Sequence, residues 1–219
     1  MRAAGSARAE GRPIGILGGT FDPVHNGHLR IAIEACEALA LDHVRLVPLN
    51  IPGHRSAPQA SPRLRTAMLR AAARAPLEVD TCEIDRGGVS YTIDTLLELR
   101  GRWPTRSLCV LLGLDAYHGL SRWHRADELL ALAHLVVVAR PDIGTQHDAA
   151  LDELVSNAQA LHVDPLHDMR AGRVFFLDIP LLPIASSDLR ARRAAGRVIR
   201  HLVPESVDDL IIEHDLYRP

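Results

Sequence analysis

Cysteine is scarce in this chain. Its three cysteines, Cys36, Cys82 and Cys109, lie far apart in apolar runs, and an odd number so spaced argues against both a disulfide framework and a zinc cage. A reducing cytoplasm suits them. Aromatic residues make up only 4% of a chain that is 47% hydrophobic, so the core must be built from Leu, Val, Ile and Ala, a composition common in helix-covered sheets. No apolar run approaches the roughly 18 residues of a membrane helix. The Ala/Arg/Gly-rich residues 1–12 are not followed by the apolar stretch of a signal peptide, and they are expected to form a disordered extension. An excess of charge is missing too, since 25 Lys plus Arg face 27 Asp plus Glu. No global field therefore points to nucleic acid or an anionic membrane, and the expected partner is a small molecule.

The 219 residues suit one domain, placed at 13–219. Ile14 to Leu17, closed by Gly18-Gly19, has the form of a buried strand entering a tight turn. From His28, apolar Leu29, Ala32, Ile33, Cys36, Leu39 and Ala40 recur at helical spacing. Strand-like runs follow at Val44–Val47, Leu77–Ile84, Ser107–Leu112, Leu135–Ala139 and Arg173–Leu177. Between them lie helical runs: one opened by Ser61-Pro62 and reaching Arg74, others at Thr92–Arg100 and Ala149–Ala160, and short ones at Ser186–Ala195 and Pro204–His214. Such alternation predicts an α/β fold, a doubly wound, Rossmann-like parallel sheet with helices on both faces.

The sharpest feature is Gly18-Gly19-Thr20-Phe21-Asp22-Pro23-Val24-His25-Asn26-Gly27-His28, between the first strand and the first helix. Open α/β sheets bind ligands there, outside the carboxyl end of a strand. Glycines let backbone N–H groups approach phosphate, the helix N-terminus adds partial positive charge, and His25 and His28 can donate to a polyphosphate. The glycine order matches neither the dinucleotide turn nor the P-loop. A second element, Ile184-Ala185-Ser186-Ser187-Asp188-Leu189-Arg190, puts serines at a helix start and an arginine one turn in, again suited to phosphate. His25 and His28 have no third ligand nearby in sequence, so no protein-bound metal is expected.

The first run resembles the signature of the nucleotidyltransferase superfamily that shares the H-x-G-H element with class I aminoacyl-tRNA synthetases, and the second resembles its I-S-S-T-x-I-R motif, with Ala185 and Ser187 as departures. Pro48-Leu49-Asn50-Ile51-Pro52-Gly53-His54-Arg55, Ser90-Tyr91-Thr92, Gly113-x-Asp115, Trp123 and Leu216-Tyr217-Arg218 resemble, in order, the bacterial nicotinate-nucleotide adenylyltransferase family. Gly53 replaces a proline in that pattern, and His124 a frequent aromatic.

The resemblance implies a nucleotidyltransferase that moves the adenylyl group of ATP to nicotinate mononucleotide, giving deamido-NAD and pyrophosphate. It implies ATP binding by Gly18, Gly19, Thr20, Phe21, His25, His28, Arg55, Gly113, Asp115, Ser186, Ser187 and Arg190, with His25, His28 and Arg190 catalytic. The nicotinate nucleotide would meet Asn50, His54, Tyr91, Thr92 and Trp123, the last stacking on the pyridine ring. Magnesium is expected to arrive with ATP rather than in a protein cage. Two alternatives stay open at this stage, phosphopantetheine adenylyltransferase and a catalytically silent nucleotide-binding regulator on the same fold. Oligomeric state is not legible.

Overall fold

The computed structural model describes residues 8–53, 57–138 and 149–218. The chain runs β1 (Ile14–Gly19), α1 (Asn26–Ala38), β2 (His43–Pro48), β3 (Ile51–Pro52), α2 (Pro62–Ala72), β4 (Leu77–Val79), α3 (Cys82–Arg86), β5 (Val89–Ser90), α4 (Thr92–Arg102), β6 (Leu108–Gly113) and α5 (Leu114–His118). It continues through α6 (Leu129–Leu132), β7 (His134–Val138), α7 (Ala149–Val155), β8 (Gln159–Ala160), α8 (Asp164–Asp168), β9 (Val174–Leu177), α9 (Ser186–Ala194) and α10 (Glu205–Glu213).

Seven strands form one sheet in the order β4-β2-β1-β6-β7-β9-β8, and every paired neighbour is parallel. β3 and β5 make a separate parallel pair. Successive side chains of a strand point to opposite faces, and both faces here are buried. Cys109, Leu111, Val136 and Val138 pack into one cluster with residues of α1, α2, α9 and α10. Leu108, Val110, Leu112, Leu135 and Val137 pack into the other with residues of α4, α5, α6 and α7. This is the doubly wound architecture expected from the continuous apolar strands.

Strand order reverses between β1 and β6, which pair directly with Ile14 opposite Leu108. The chain moves outward through β2 on one side and through β7 on the other, so the loops after β1 and β6 leave adjacent carboxyl ends and diverge. A crevice at that switch point is the general ligand site of such sheets.

Two elements differ from the sequence reading. The run expected as a strand to Ile84 ends at Val79, because the Asp80 carboxylate accepts from the Cys82 N–H at 3.2 Å and turns the chain into α3. The helix expected to Ala160 ends at Val155; Asn157 takes a left-handed conformation (φ 60°), and Gln159–Ala160 join the sheet edge beside β9. Near the N-terminus, residues 8–12 run against the body where a disordered extension was expected. Ala9 N–H donates to Asp168 O at 2.9 Å, Glu10 N–H to Thr105 O at 3.2 Å, and the Arg12 Nε–H to Ala40 O at 3.0 Å. The three cysteines are buried and free. Among the described residues no helix is long and apolar enough to cross a membrane.

Candidate active site

The loop after β1 turns sharply at Phe21, whose φ of 50° is left-handed. The Phe21 ring lies so near Gly19 that a Cβ there would meet it at 3.2 Å, so a side chain at this position would press on the ring. Helix α1 then begins with His25 as its N-cap, in extended conformation, and no acidic residue in the first turn competes for an anion. The cap is reciprocal. His25 Nδ1 accepts from the His28 N–H at 3.4 Å, and His28 Nδ1 accepts from the His25 N–H at 3.3 Å, a histidine version of the capping box. The rings stack with centroids 3.7 Å apart, and Phe21 meets His28 edge-on at 5.0 Å. Gly27 leaves room for the ring, since a Cβ would stand 3.0 Å from His25 Nδ1 and push on it.

This packing sets the electrostatics. Burial lowers the His25 pKa from 6.5 to about 4, and burial together with the neighbouring His25 lowers that of His28 to about 3. Both rings are therefore neutral near pH 7. With each Nδ1 accepting a backbone N–H, the proton sits on Nε2, so the pair presents two Nε2–H donors.

Asp22 is the hub behind this loop. It is 2% exposed and accepts from the Gln59 N–H at 2.8 Å, the Ala60 N–H at 3.1 Å and the Tyr217 hydroxyl at 2.7 Å. Burial and that carboxylate push the Tyr217 phenol well above its ordinary pKa. Arg190 comes to the same hub from α9, its Nη1 donating to Asp22 O at 2.7 Å and standing 3.9 Å from the carboxylate. The Ser186 hydroxyl donates to Pro23 O at 3.0 Å. The N-cap of α9 is Ala185 with no side-chain cap, so its first N–H groups are left for an outside acceptor. His25, His28, Ser186 and Arg190, distant in sequence, are thus drawn to one loop.

A second group gathers around β3 and β5. Asn50 N–H donates to the Ser90 hydroxyl at 2.8 Å, and the Asn50 side-chain amide donates to Gly88 O at 2.9 Å. The Asn50 amide N–H2 is therefore partly committed to the protein. Gly53 stands where a Cβ would lie 3.3 Å from Val89 and 3.4 Å from the Tyr91 ring, so the glycine that replaces proline admits this close approach. Tyr91 is the N-cap of α4 and Thr92 its first residue, with no side-chain cap. Asp94 sits in that first turn, and its charge acts on Arg125. Tyr91 meets the ring of His124 at 4.5 Å, so His124 supplies the flat neighbour at this corner. Trp123 packs partly into the second core cluster and lines an open pocket of about 270 Å³ with Ser121, Arg125 and Leu154.

Gly113 ends β6 and caps α5, where a Cβ would meet nothing, and Asp115 is exposed in the first turn. Both lie across the switch point from Gly18 and Gly19. His54 and Arg55 lie outside the described residues. Among the described residues no three His, Cys, Asp or Glu side chains form a group that could hold a metal ion, and the buried carboxylate nearest the loop, Asp22, is filled by its own donors.

Sequence reasoning missed Arg65. This arginine of α2 is 0% exposed, and its guanidinium donates four hydrogen bonds, all to backbone carbonyls. The readable signal was its place on the apolar stripe of α2, one turn from Met68 and Leu69, both fully buried. The tie of Asp22 to Tyr217 was also missed, since nothing in the spacing joins residues 195 apart.

The chain is similar to known proteins over nearly its whole length. A cytidylyltransferase-like family model matches residues 16–192. A protein of Aeromonas hydrophila described as "Probable nicotinate-nucleotide adenylyltransferase" is 47% identical over 209 residues, covering 94% of this chain and 98% of its own. One of Methylococcus capsulatus with the same description is 42% identical over 207 residues, 93% of this chain and 99% of its own. The solved Plasmodium falciparum nicotinic acid mononucleotide adenylyltransferase complexed with NaAD superposes with a TM-score of 0.69 over 94% of this chain and 98% of that one; at 16% identity it speaks for the fold alone. With the motif loop at the switch point and near full-length identity to these relatives, the chain belongs to the nicotinate-nucleotide adenylyltransferase family.

Proposed function

We propose that this enzyme transfers the adenylyl group of ATP to the phosphate of nicotinate mononucleotide, releasing pyrophosphate and forming deamido-NAD in NAD biosynthesis. The observation that carries the reading is the capped histidine pair at the switch point. It places two neutral Nε2–H donors, the uncapped N-terminus of α9 and Arg190 around one loop. The nucleotide phosphate is ionised near neutral pH and attacks the α-phosphorus of ATP without a general base; the bond from that phosphorus to the bridging oxygen breaks, and pyrophosphate leaves. The protein's work is alignment and the stabilisation of charge on the leaving group. His25, His28, Ser186, Ser187, Arg190 and the amides of residues 18–20 hold the triphosphate, a role the family resemblance also gives to Arg55. Gly113 and Asp115 face the adenosine.

Magnesium fits this donor set as an ion carried on ATP. It keeps several waters and binds phosphate oxygens, and when bound it neutralises phosphate charge. The reaction belongs to a cytoplasmic setting, which suits three buried free thiols. Incubation with ATP, Mg²⁺ and nicotinate mononucleotide is expected to release pyrophosphate, and phosphopantetheine is expected to be inert. Faster reaction of phosphopantetheine would overturn the substrate assignment.

Asn50, Tyr91, Thr92, His124 and Trp123 form the pyridine side, to which the family resemblance also assigns His54. The start of α4 offers N–H groups without a side-chain cap beside the Thr92 hydroxyl, donors suited to a carboxylate. An amide would set its own NH₂ against them, and a buried donor facing a donor costs on the order of 1–3 kcal/mol. The acid nucleotide is therefore expected to exceed the amide by at least about tenfold in kcat/KM. The ratio is read with both nucleotides at one pH and fixed Mg²⁺, and a value near one would show that these groups do not read the substituent.

A further inference from the structure

Arg65 has no exposed atom to offer a substrate, yet its guanidinium reaches both substrate loops. Nη1 donates to Thr20 O, on the loop after β1, at 2.8 Å, and to Leu49 O, after β2, at 2.7 Å. Nη2 donates to Asn50 O at 3.1 Å, and Nε to Ala60 O at 3.3 Å. Residues 20–28 hold the triphosphate donors, and residues 49–50 lead into the pyridine side. One rigid cation thus fixes the spacing between two segments that, among the described residues, share no side-chain hydrogen bond with each other. Behind them β1 and β2 pair as far as Gly19 and Pro48, and the Leu49 N–H donates to Gly19 O at 3.0 Å.

The charge arrangement fits a device of this kind. Burial depresses the Arg65 pKa, while Asp22 and Tyr217 oppose that shift. Asp22 is the same carboxylate that holds Gln59 and Ala60, so the arginine and the carboxylate close the base of the loop from two sides. An arginine can serve several carbonyls from one plane, whereas a lysine ammonium on a flexible stem cannot reproduce that fork. A residue needed only to fill the core would be an apolar one, as Met68 and Leu69 are on the same stripe.

We propose that Arg65 is a positioning residue that sets the distance between the triphosphate loop and the pyridine-nucleotide loop, and so aligns the attacking phosphate with the α-phosphorus. This rests on the reaction proposed above. Alignment is lost more readily than affinity, since a displacement of about 1 Å can cost about 10²-fold in rate. Binding of either substrate alone does not require the two loops to be in register, whereas the reaction does.

The test compares wild type with Arg65→Lys and Arg65→Gln. Pyrophosphate release gives kcat, titration calorimetry gives Kd for nicotinate mononucleotide alone and for ATP with Mg²⁺ alone, and amide hydrogen exchange is followed peptide by peptide. Arg65→Lys is expected to lower kcat by about 30-fold while each Kd changes by less than about fivefold. Exchange should rise by at least about tenfold in peptides covering 19–24 and 48–52, and stay level in those covering 108–113 and 134–138. Equal acceleration in all four peptides, loss of folding in both variants, or a kcat within about threefold of wild type would overturn the proposal and make Arg65 a core staple. If wild type releases no pyrophosphate, the proposed reaction falls, and the exchange pattern alone still decides whether Arg65 ties the two loops.

Discussion

His28→Ala is expected to lower kcat by about 10²-fold or more, with a smaller change in KM for ATP, because a donor aimed at charge that develops on the leaving group acts chiefly in the transition state. The substitution removes the Nε2–H donor and also the Nδ1 that accepts the His25 N–H. Both losses fall on the first turn of α1. His28→Asn separates them, since a side-chain carbonyl can still cap while its amide is too short to restore the original donor position. His28→Asn should therefore recover thermal stability without recovering kcat. A rise in KM at unchanged kcat would make His28 a plain binding residue.

Acid should unfold this protein steeply above the range in which carboxylates titrate. Three histidines, His25 and His134 buried and His28 partly so, carry pKa values below the ordinary 6.5. His25 is at about 4 and His28 at about 3, and His134 is lowered to about 4, chiefly by burial and further by Arg100 and Arg173, against the opposing bond to Met169 O. His134 is fully buried at the start of β7, its Nε2 bonded to Met169 O at 2.8 Å and its Nδ1 accepting from the Arg173 N–H at 3.1 Å. In the unfolded chain all three take up a proton near pH 6.5, whereas in the folded chain they do not until pH 4 or 3. Between those limits the unfolded state binds more protons, so stability is full above pH 6.5 and is lost as pH falls. Each group contributes about 1.4 kcal/mol per pH unit inside its window, giving a combined slope that approaches about 4 kcal/mol per pH unit. Urea unfolding at steps from pH 7 to 4.5 measures it, and His134→Gln should remove about a third of the slope. An unchanged slope in that variant, or none in wild type, would show that these rings do not govern acid stability.

The sheet was legible because its strands are continuous apolar runs, and a strand buried on both faces leaves that trace regardless of what surrounds it. The edge was less legible. Residues 80–84 keep an apolar tint, but a single carboxylate turns them into a helix, and Gln159–Ala160 become a strand only because β9 lies beside them. Periodicity cannot see a partner that is supplied by the fold. At the site, the histidines and the loop glycines could be read because they act close together in sequence. Arg65 and Tyr217 could not, since their meaning lies in contacts to Thr20, Leu49 and Asp22 across 16 or more positions. His124 read as a departure from the family's pattern, and the fold shows it against Tyr91.

The reciprocal cap of α1 also limits what its histidines can do with a proton. Each Nδ1 lone pair is occupied by the other residue's backbone N–H, so moving a proton to Nδ1 would break a helix-capping bond. Neither ring can switch tautomer, or pass a proton from one nitrogen to the other, while the first turn of the helix stays intact. The pair is built as a fixed pair of donors rather than as a relay, which suits a reaction whose nucleophile arrives already ionised.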